Sequence, residues 1–361
     1  MAKHTFGEKF RAVLATGRVA NLPTVWSNVI VGFYLAVMLD LTGFGSLIAE
    51  YGPHFDHWLL FFVCIATSLL YVGGCMLGDY RDIRFDRENR PGRPLVTGLL
   101  SPSFIAVSAI ALLTLGLLIG ALANTAAVII GFDVPVSVVK TEYMTLLQPN
   151  QLSVLGLLVL FIVIYALFHK KSRAFALGNM ALCRTQLVLF AAALGFPVFN
   201  TTLLLPLFWL CAPVIIVALS VGVYTLLLAS VAATESNQDK IKFSRALKTG
   251  MFLLPLIAIG CIAVKDSSLF PLFNELALNS DAFSVTTLRG YFIGTVLIYG
   301  SWMIYAFSAL PHDKPAFVSR ALAGFCLLDA CFAASYSVTI PLVCFVFFGL
   351  ALLLQKIAPA T

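Results

Sequence analysis

Residues 57–94 read HWLLFFVCIATSLLYVGGCML followed at once by GDYRDIRFDRENRPGRP. The first part holds no Asp, Glu, Lys or Arg and has the length of about 20 residues that a helix needs to cross a hydrocarbon core. The second part packs four acids and five arginines into residues 78–94. Such a switch marks the point where a helix leaves the bilayer. Asp79, Asp82 and Asp86 stand at i, i+3 and i+7, so at about 100° per residue they share a narrow sector of one helix face. Arg81, Arg84 and Arg87 project elsewhere, and Pro91 and Pro94 stop the helix before Thr97 and Gly98.

Outward from this stretch the same pattern repeats. The 361 residues are 60% hydrophobic and 11% charged, with a mean hydropathy of +0.96, which excludes an ordinary soluble domain. Further apolar runs lie at residues 22–41, 104–124, 151–168, 175–196, 203–233, 251–264, 290–310, 317–336 and 338–354. Their length argues for helices rather than the alternating strands of a barrel. The expected fold is an all-α polytopic membrane bundle of about nine or ten transmembrane helices around a central cavity, forming a single domain over residues 1–361. The last two runs, separated by residues 335–339 and Pro341, read either as a hairpin of two spans or as one span with a tail. The run at 22–41 follows a basic leader, exceeds a signal-peptide core and lacks a small-residue cleavage site, so it reads as a retained first span.

Lys and Arg are distributed asymmetrically between the loops. With these spans, eighteen fall on one side, including Arg18, the five arginines of residues 81–93, Lys170, Lys171 and Arg173, and three, Lys140, Lys265 and Arg289, fall on the other. The rule that cytoplasmic loops are positive therefore places the N-terminus and the acidic segment in the cytoplasm of a plasma membrane, read here as a bacterial inner membrane. The net charge of +6 reflects this topology and gives no reason to invoke nucleic acid. All eight cysteines lie in apolar runs, with no C-x-x-C and no cysteine–histidine pairing at zinc spacing, and read as core residues.

Carboxylates one helical turn apart repel, and a cation between them relieves the repulsion. Magnesium takes one or two carboxylates together with phosphate oxygens and waters, and arginines such as Arg90 and Arg93 clamp phosphate bidentately. A diphosphate–magnesium complex at the membrane surface suits this chemistry. The plain alternative is a solvated helix of mixed charge.

The segment Asp79-x-x-Asp82-x-x-x-Asp86, followed by Arg90-Pro91-Gly92-Arg93-Pro94-Leu95-Val96-Thr97-Gly98, resembles the first aspartate-rich motif of the UbiA superfamily of intramembrane prenyltransferases. Arg18 and Asn21, the Leu182-Cys183-Arg184 element and the Leu328-Asp329-Ala330 element extend the resemblance along the chain. The resemblance implies about nine helices around a cavity and Mg2+ held by two aspartate-rich motifs. It also implies transfer of an isoprenoid from a prenyl diphosphate to a small hydrophobic acceptor, often aromatic, with membrane lipid around the protein. On that reading Asp79, Asp82 and Asp86 hold metal and catalyse, and Arg90, Arg93 and Asn21 bind diphosphate. Gly78 replaces the usual asparagine. The second motif is reduced to Glu235 and Asp239, four residues apart, as weaker metal candidates. That departure resembles the EboC-like branch, so the alternative function is a non-catalytic UbiA-like protein that binds or helps export a small hydrophobic metabolite. An unrelated transporter has little support, because no internal repeat is visible.

Two charges fall inside spans. Arg184 lies eleven residues beyond Arg173, about 16 Å into the bilayer, where an arginine costs about 2.5–3.5 kcal/mol on insertion scales. Asp329 lies at a similar depth and is the expected partner; the plain alternative is that Asn179, Gln186, water or backbone satisfies each separately. Tyr34, Tyr71 and Tyr224 are candidates for an aromatic lining that stabilises a carbocation.

Overall fold

The computed structural model describes residues 5–43, 57–130, 149–195, 204–233, 249–253, 256, 285–334 and 337–358. Ten α-helices are delimited among them: α1 Phe6–Thr16, α2 Leu22–Gly43, α3 His57–Asn89, α4 Pro102–Ile130, α5 Pro149–Phe168, α6 Arg173–Gly195, α7 Leu204–Ala232, α8 Val285–Ala309, α9 Lys314–Ala334 and α10 Thr339–Ile357. A short 3-10 turn, Val19–Asn21, links α1 to α2. Nine helical segments among the described residues are long and apolar enough to cross a membrane. The protein is a polytopic all-α membrane bundle. The predicted run at 251–264 lies largely outside the described residues, as do the connections at 131–148 and 257–284.

The last two apolar runs are two spans. Helices α9 and α10 pack side by side, and Ser337 Oγ accepts from the amides of Thr339 and Ile340 at 3.1 and 3.3 Å, capping the start of α10.

Burial separates inner from outer helices. About four fifths of the α2 and α9 span windows are buried, 83% and 78%, against 22% for α4, α5 and α10. The outer helices turn Ile110, Leu157 and Val346 outward, where lipid tails rather than water are the solvent. Several buried polar residues meet in the interior: Thr24, Ser27 and Asn28 on α2, Arg184 on α6 and Asp329 on α9. A polar side chain in a span is tolerated where it faces protein.

Glycine lets α2 and α6 approach backbone to backbone. A Cβ on Gly32 would sit 2.6 Å from the Val188 carbonyl oxygen, and one on Gly195 would sit 2.7 Å from that of Phe33. Small residues at such crossings let membrane helices pack closely without a hydrophobic driving force. Gly32→Ala tests the crossing. Alanine favours an isolated helix by about 1 kcal/mol, yet overpacking against a carbonyl costs about 1–3 kcal/mol. The expected net result is a lower melting temperature in detergent, and an unchanged or raised one would show that the helices do not meet here.

Helix α3 has 33 residues, well beyond a single crossing, and its last turns project from the bundle as one unbroken helix. It ends at Asn89, ahead of Pro91, as the proline requires. A second small core of Ala12, Met76, Leu95, Leu100, Ile105 and Ala109 ties α1 and the segment after α3 to this projecting end. Gly98, at φ +77°, makes the left-handed turn that returns the chain toward α4.

Candidate active site at the charged end of the bundle

Three of the predicted residues lie on the projecting part of α3, and basic groups from other segments meet two of them. Asp79 is buried. Arg18 Nη2 approaches one of its oxygens at 3.6 Å and Arg93 Nη1 the other at 3.7 Å. These separations exceed the roughly 2.7–2.9 Å of a tight charge-assisted hydrogen bond, so Asp79 keeps room for a further ligand. Arg18 is the sole non-glycine residue with positive φ among those described, at φ 48° and ψ 42°. A left-handed arginine is uncommon and costs backbone energy. It holds the turn between α1 and α2, so that α1 ends and the guanidinium swings to Asp79.

Asp82 meets the far end of α5. His169 Nε2 lies 3.1 Å from each of its oxygens and Lys170 Nζ lies 3.4 Å away. His169 is fixed by its other nitrogen, 2.9 Å from the Tyr165 carbonyl oxygen, and by stacking on the Tyr165 ring at 5.2 Å. Lys170 Nζ sits 3.5 Å above the Phe85 ring, a cation–π contact one turn along α3 from Asp82. Asp86 is buried, and its Oδ1 has no hydrogen-bond partner among the described residues.

Arg93 reaches the cluster, while Arg90 is exposed at the turn after α3. Asn21 is buried and its Nδ2 donates to the Tyr71 hydroxyl at 3.0 Å, one layer below Asp79. Glu235 and Asp239 lie outside the described residues. In the sequence Arg18 reads as a topology charge and as part of the family resemblance, Lys170 reads as a topology charge alone, and His169 carries no assigned role. A basic pair directly after an apolar run, on the same side as an acidic helix end, was the available signal.

Deeper in the bundle the expected direct ion pair is replaced by a relay. Arg184 Nη1 donates to Asn28 Oδ1 at 2.9 Å and to the Thr24 carbonyl at 3.3 Å, and Nη2 donates to Thr24 Oγ1 at 2.9 Å. Asp329 Oδ2 accepts from Ser27 Oγ at 2.6 Å and from Asn28 Nδ2 at 2.7 Å. Asn28 thus bridges guanidinium and carboxylate, because α2 packs against both α6 and α9 and lies between them. The rings of Tyr71 and Phe325 flank the Arg184 guanidinium, their centroids 5.8 and 5.1 Å from Cζ. Of the other tyrosines, Tyr224 is a core residue, donating to the Ala321 carbonyl at 2.8 Å and packing edge-on to Phe325. Thr24, Ser27 and Asn28, at i, i+3 and i+4 within an apolar run, were legible as one polar helix face.

Among the described residues no three His, Cys, Asp or Glu side chains are placed together so as to hold one metal ion. An open set of carboxylates with a buried, unpartnered Asp86 oxygen fits magnesium, which retains water and completes its shell with phosphate.

The fold and this site define an integral membrane protein of the helical, polytopic class, with an acidic helix end set among basic side chains and a charged relay inside the bundle. Residues 39–139 match the UbiA prenyltransferase family. A digeranylgeranylglyceryl phosphate synthase of Hyperthermus butylicus is 29% identical over 109 residues, 30% of this chain and 36% of that protein. The match thus spans about a third of that relative's length. A solved structure from work on digeranylgeranylglyceryl phosphate synthase in membranes is 17% identical, covering 91% of this chain and 97% of its own, with a TM-score of 0.49. The family match, which includes the whole of α3, and the relative support membership of the UbiA superfamily.

Proposed function

We propose that this protein is a membrane prenyltransferase that binds a prenyl diphosphate at the Asp79–Asp82 mouth and transfers its isoprenoid to a small acceptor. The observation that carries this reading is the convergence of Arg18, Arg93, His169 and Lys170 on two carboxylates at the end of an apolar bundle. Cations without carboxylates would suit a free anion, and carboxylates alone a free metal. The two together suit a metal–diphosphate complex. In this reading the mouth faces the cytoplasm of a bacterial inner membrane, Glu235 and Asp239 add to the metal-binding set, and the isoprenoid tail lies among the helices.

Asp79, Asp82 and Asp86 would hold Mg2+, which when bound would supply neutralisation of the leaving diphosphate. Arg90 and Arg93 bind phosphate oxygens and, with Lys170, offset the charge that develops as the allylic carbon–oxygen bond breaks with its electron pair going to the diphosphate. Asn21 holds Tyr71 beneath the reacting carbon, where its ring face stabilises positive charge. The acceptor supplies the electron pair for the new bond to that carbon and releases a proton.

The test is magnesium-dependent diphosphate release by the purified full chain in nanodiscs, presented with prenyl diphosphates of several chain lengths and a panel of acceptors. Binding of a prenyl diphosphate without release would instead support the non-catalytic reading. Within the transferase reading, Lys170→Ala is expected to raise the half-saturating donor concentration about tenfold, the effect of losing one charge-assisted contact of about 1.5 kcal/mol. An unchanged value would remove Lys170 from the diphosphate site.

A further inference from the structure

Helix α1 carries an apolar face that runs on past the part of the protein that covers it. Phe6, Phe10, Val13 and Gly17 stand at i, i+4, i+7 and i+11, one face at helical spacing. Toward the C-terminal end that face is seated: Val13 packs on the second small core, and a Cβ on Gly17 would sit 2.9 Å from Val72 on α3. At the other end it is bare. Phe6 is 85% and Phe10 53% exposed, and their rings stack on each other with centroids 6.4 Å apart. This end is nonetheless built as helix. Thr5 Oγ1 accepts from the Glu8 amide at 3.3 Å, and the Glu8 carboxylate accepts from the Thr5 amide at 2.9 Å, a reciprocal cap that also turns the acid back onto the backbone.

The depth of α1 says what covers the bare end. Val72, against Gly17, and Met76, in the same small core as Ala12, lie seven and three residues before Asp79 on α3, about 10 and 4 Å from the charged mouth toward the bilayer. Ile105 and Ala109 of that core belong to the first turns of α4, an apolar span whose Phe104 and Val107 face outward. Helix α1 crosses α3 at this level rather than lying along it, so its first turns run out over the edge of the hydrocarbon layer. A helix so placed buries one apolar face at the boundary between headgroups and acyl chains. Charge fits as well. Lys9 and Arg11 are exposed and stand about 80° and 120° to either side of the phenylalanine face, where their stems lie along the boundary and their cations reach lipid phosphates. The turn at Arg18 points the same way. A strained left-handed residue persists where both flanking elements are held, and the bundle holds α2 while a single crossing holds α1.

We propose that α1 docks on anionic phospholipid of the leaflet around the charged mouth, with Phe6 and Phe10 in the headgroup–acyl boundary and Lys9 and Arg11 on lipid phosphates. Because α1 ends in the Arg18 turn, the docked helix also bears on one cation of the mouth. The assignment stands without the transferase reading, and its test needs no turnover.

The full chain carrying Phe10→4-fluorophenylalanine is placed in nanodiscs of phosphatidylcholine alone and of equal parts phosphatidylcholine and phosphatidylglycerol. Its 19F relaxation is read with a spin-labelled lipid and with a water-soluble gadolinium chelate. In the anionic discs the lipid label is expected to relax the fluorine strongly. Relaxation by the aqueous chelate is expected to be weaker than in the neutral discs by about fivefold or more, the scale of one cation's attraction to such a surface. Lys9→Gln combined with Arg11→Gln, both at exposed positions, is expected to remove that difference and leave the melting temperature unchanged. Equal aqueous relaxation in the two kinds of disc, or a difference that the double variant keeps, would overturn the assignment. So would aqueous relaxation that weakens only in discs loaded with two copies, since a second copy of the chain would then be what covers the face.

Discussion

Asp79→Ala is expected to lower kcat/KM for magnesium-dependent diphosphate release by at least about 10²-fold, the scale on which one preorganised charge-stabilising group acts. Two effects add. The variant loses a carboxylate from the metal side, and it leaves Arg18 and Arg93, 3.6 and 3.7 Å from that carboxylate, without an anion between them. The loss should fall mainly on kcat if Asp79 acts as the leaving group departs, because an interaction made in the transition state does not reveal itself in KM. Asp79→Asn, nearly isosteric, should show a similar fall in rate with a smaller change in melting temperature. It thereby separates chemistry from folding. Release at the wild-type rate from a folded Asp79→Asn protein would end the enzymatic reading of this mouth.

Asn28→Leu is expected to destabilise the protein by about 3–5 kcal/mol, the cost of breaking a buried charged pair by removing what compensates it. Among the described residues Asn28 is the one side chain that hydrogen-bonds both ions, donating to Asp329 at 2.7 Å and accepting from Arg184 at 2.9 Å. Leucine is isosteric enough to fill the space, so the loss is electrostatic rather than a cavity. Arg184 would keep Thr24 and Asp329 would keep Ser27, which limits the damage. The diagnostic comparison is the triple variant Asn28→Leu, Arg184→Met, Asp329→Leu. An apolar replacement of a whole buried ionic set is often neutral, so the triple variant should be more stable than Asn28→Leu alone, a non-additivity that denaturant or thermal unfolding in detergent measures. A triple variant less stable than the single one would show that the three side chains do not act as a unit.

The local and periodic features were open to reading in one dimension. The apolar run at 57–77 and the charged stretch after it form one helix, and the helix ends just ahead of Pro91. The span windows agree with the runs because the length needed to cross a bilayer is a property of the run itself. The run at 338–354 is the exception that shows the limit. Whether it doubled back depended on the Ser337 cap and on packing against α9, and no count of apolar residues contains that.

The site divides in the same way. Asp79, Asp82 and Asp86 share a helix face by arithmetic, and Arg184 and Asp329 needed partners by the cost of charge in hydrocarbon. Sequence by itself thus determined the class of fold, the acidic face and the existence of buried charge. It did not determine the partners. His169 and Lys170 meet Asp82 across 87 and 88 residues of chain, and Asn28 stands between Arg184 and Asp329 because Gly32 and Gly195 let α2 and α6 close together. Spacing along a helix sets which side chains share a face. Only the packing of one helix against another sets which charge that face meets, because a hydrogen bond is decided over a few tenths of an ångström and helices approach by whatever their smallest residues permit.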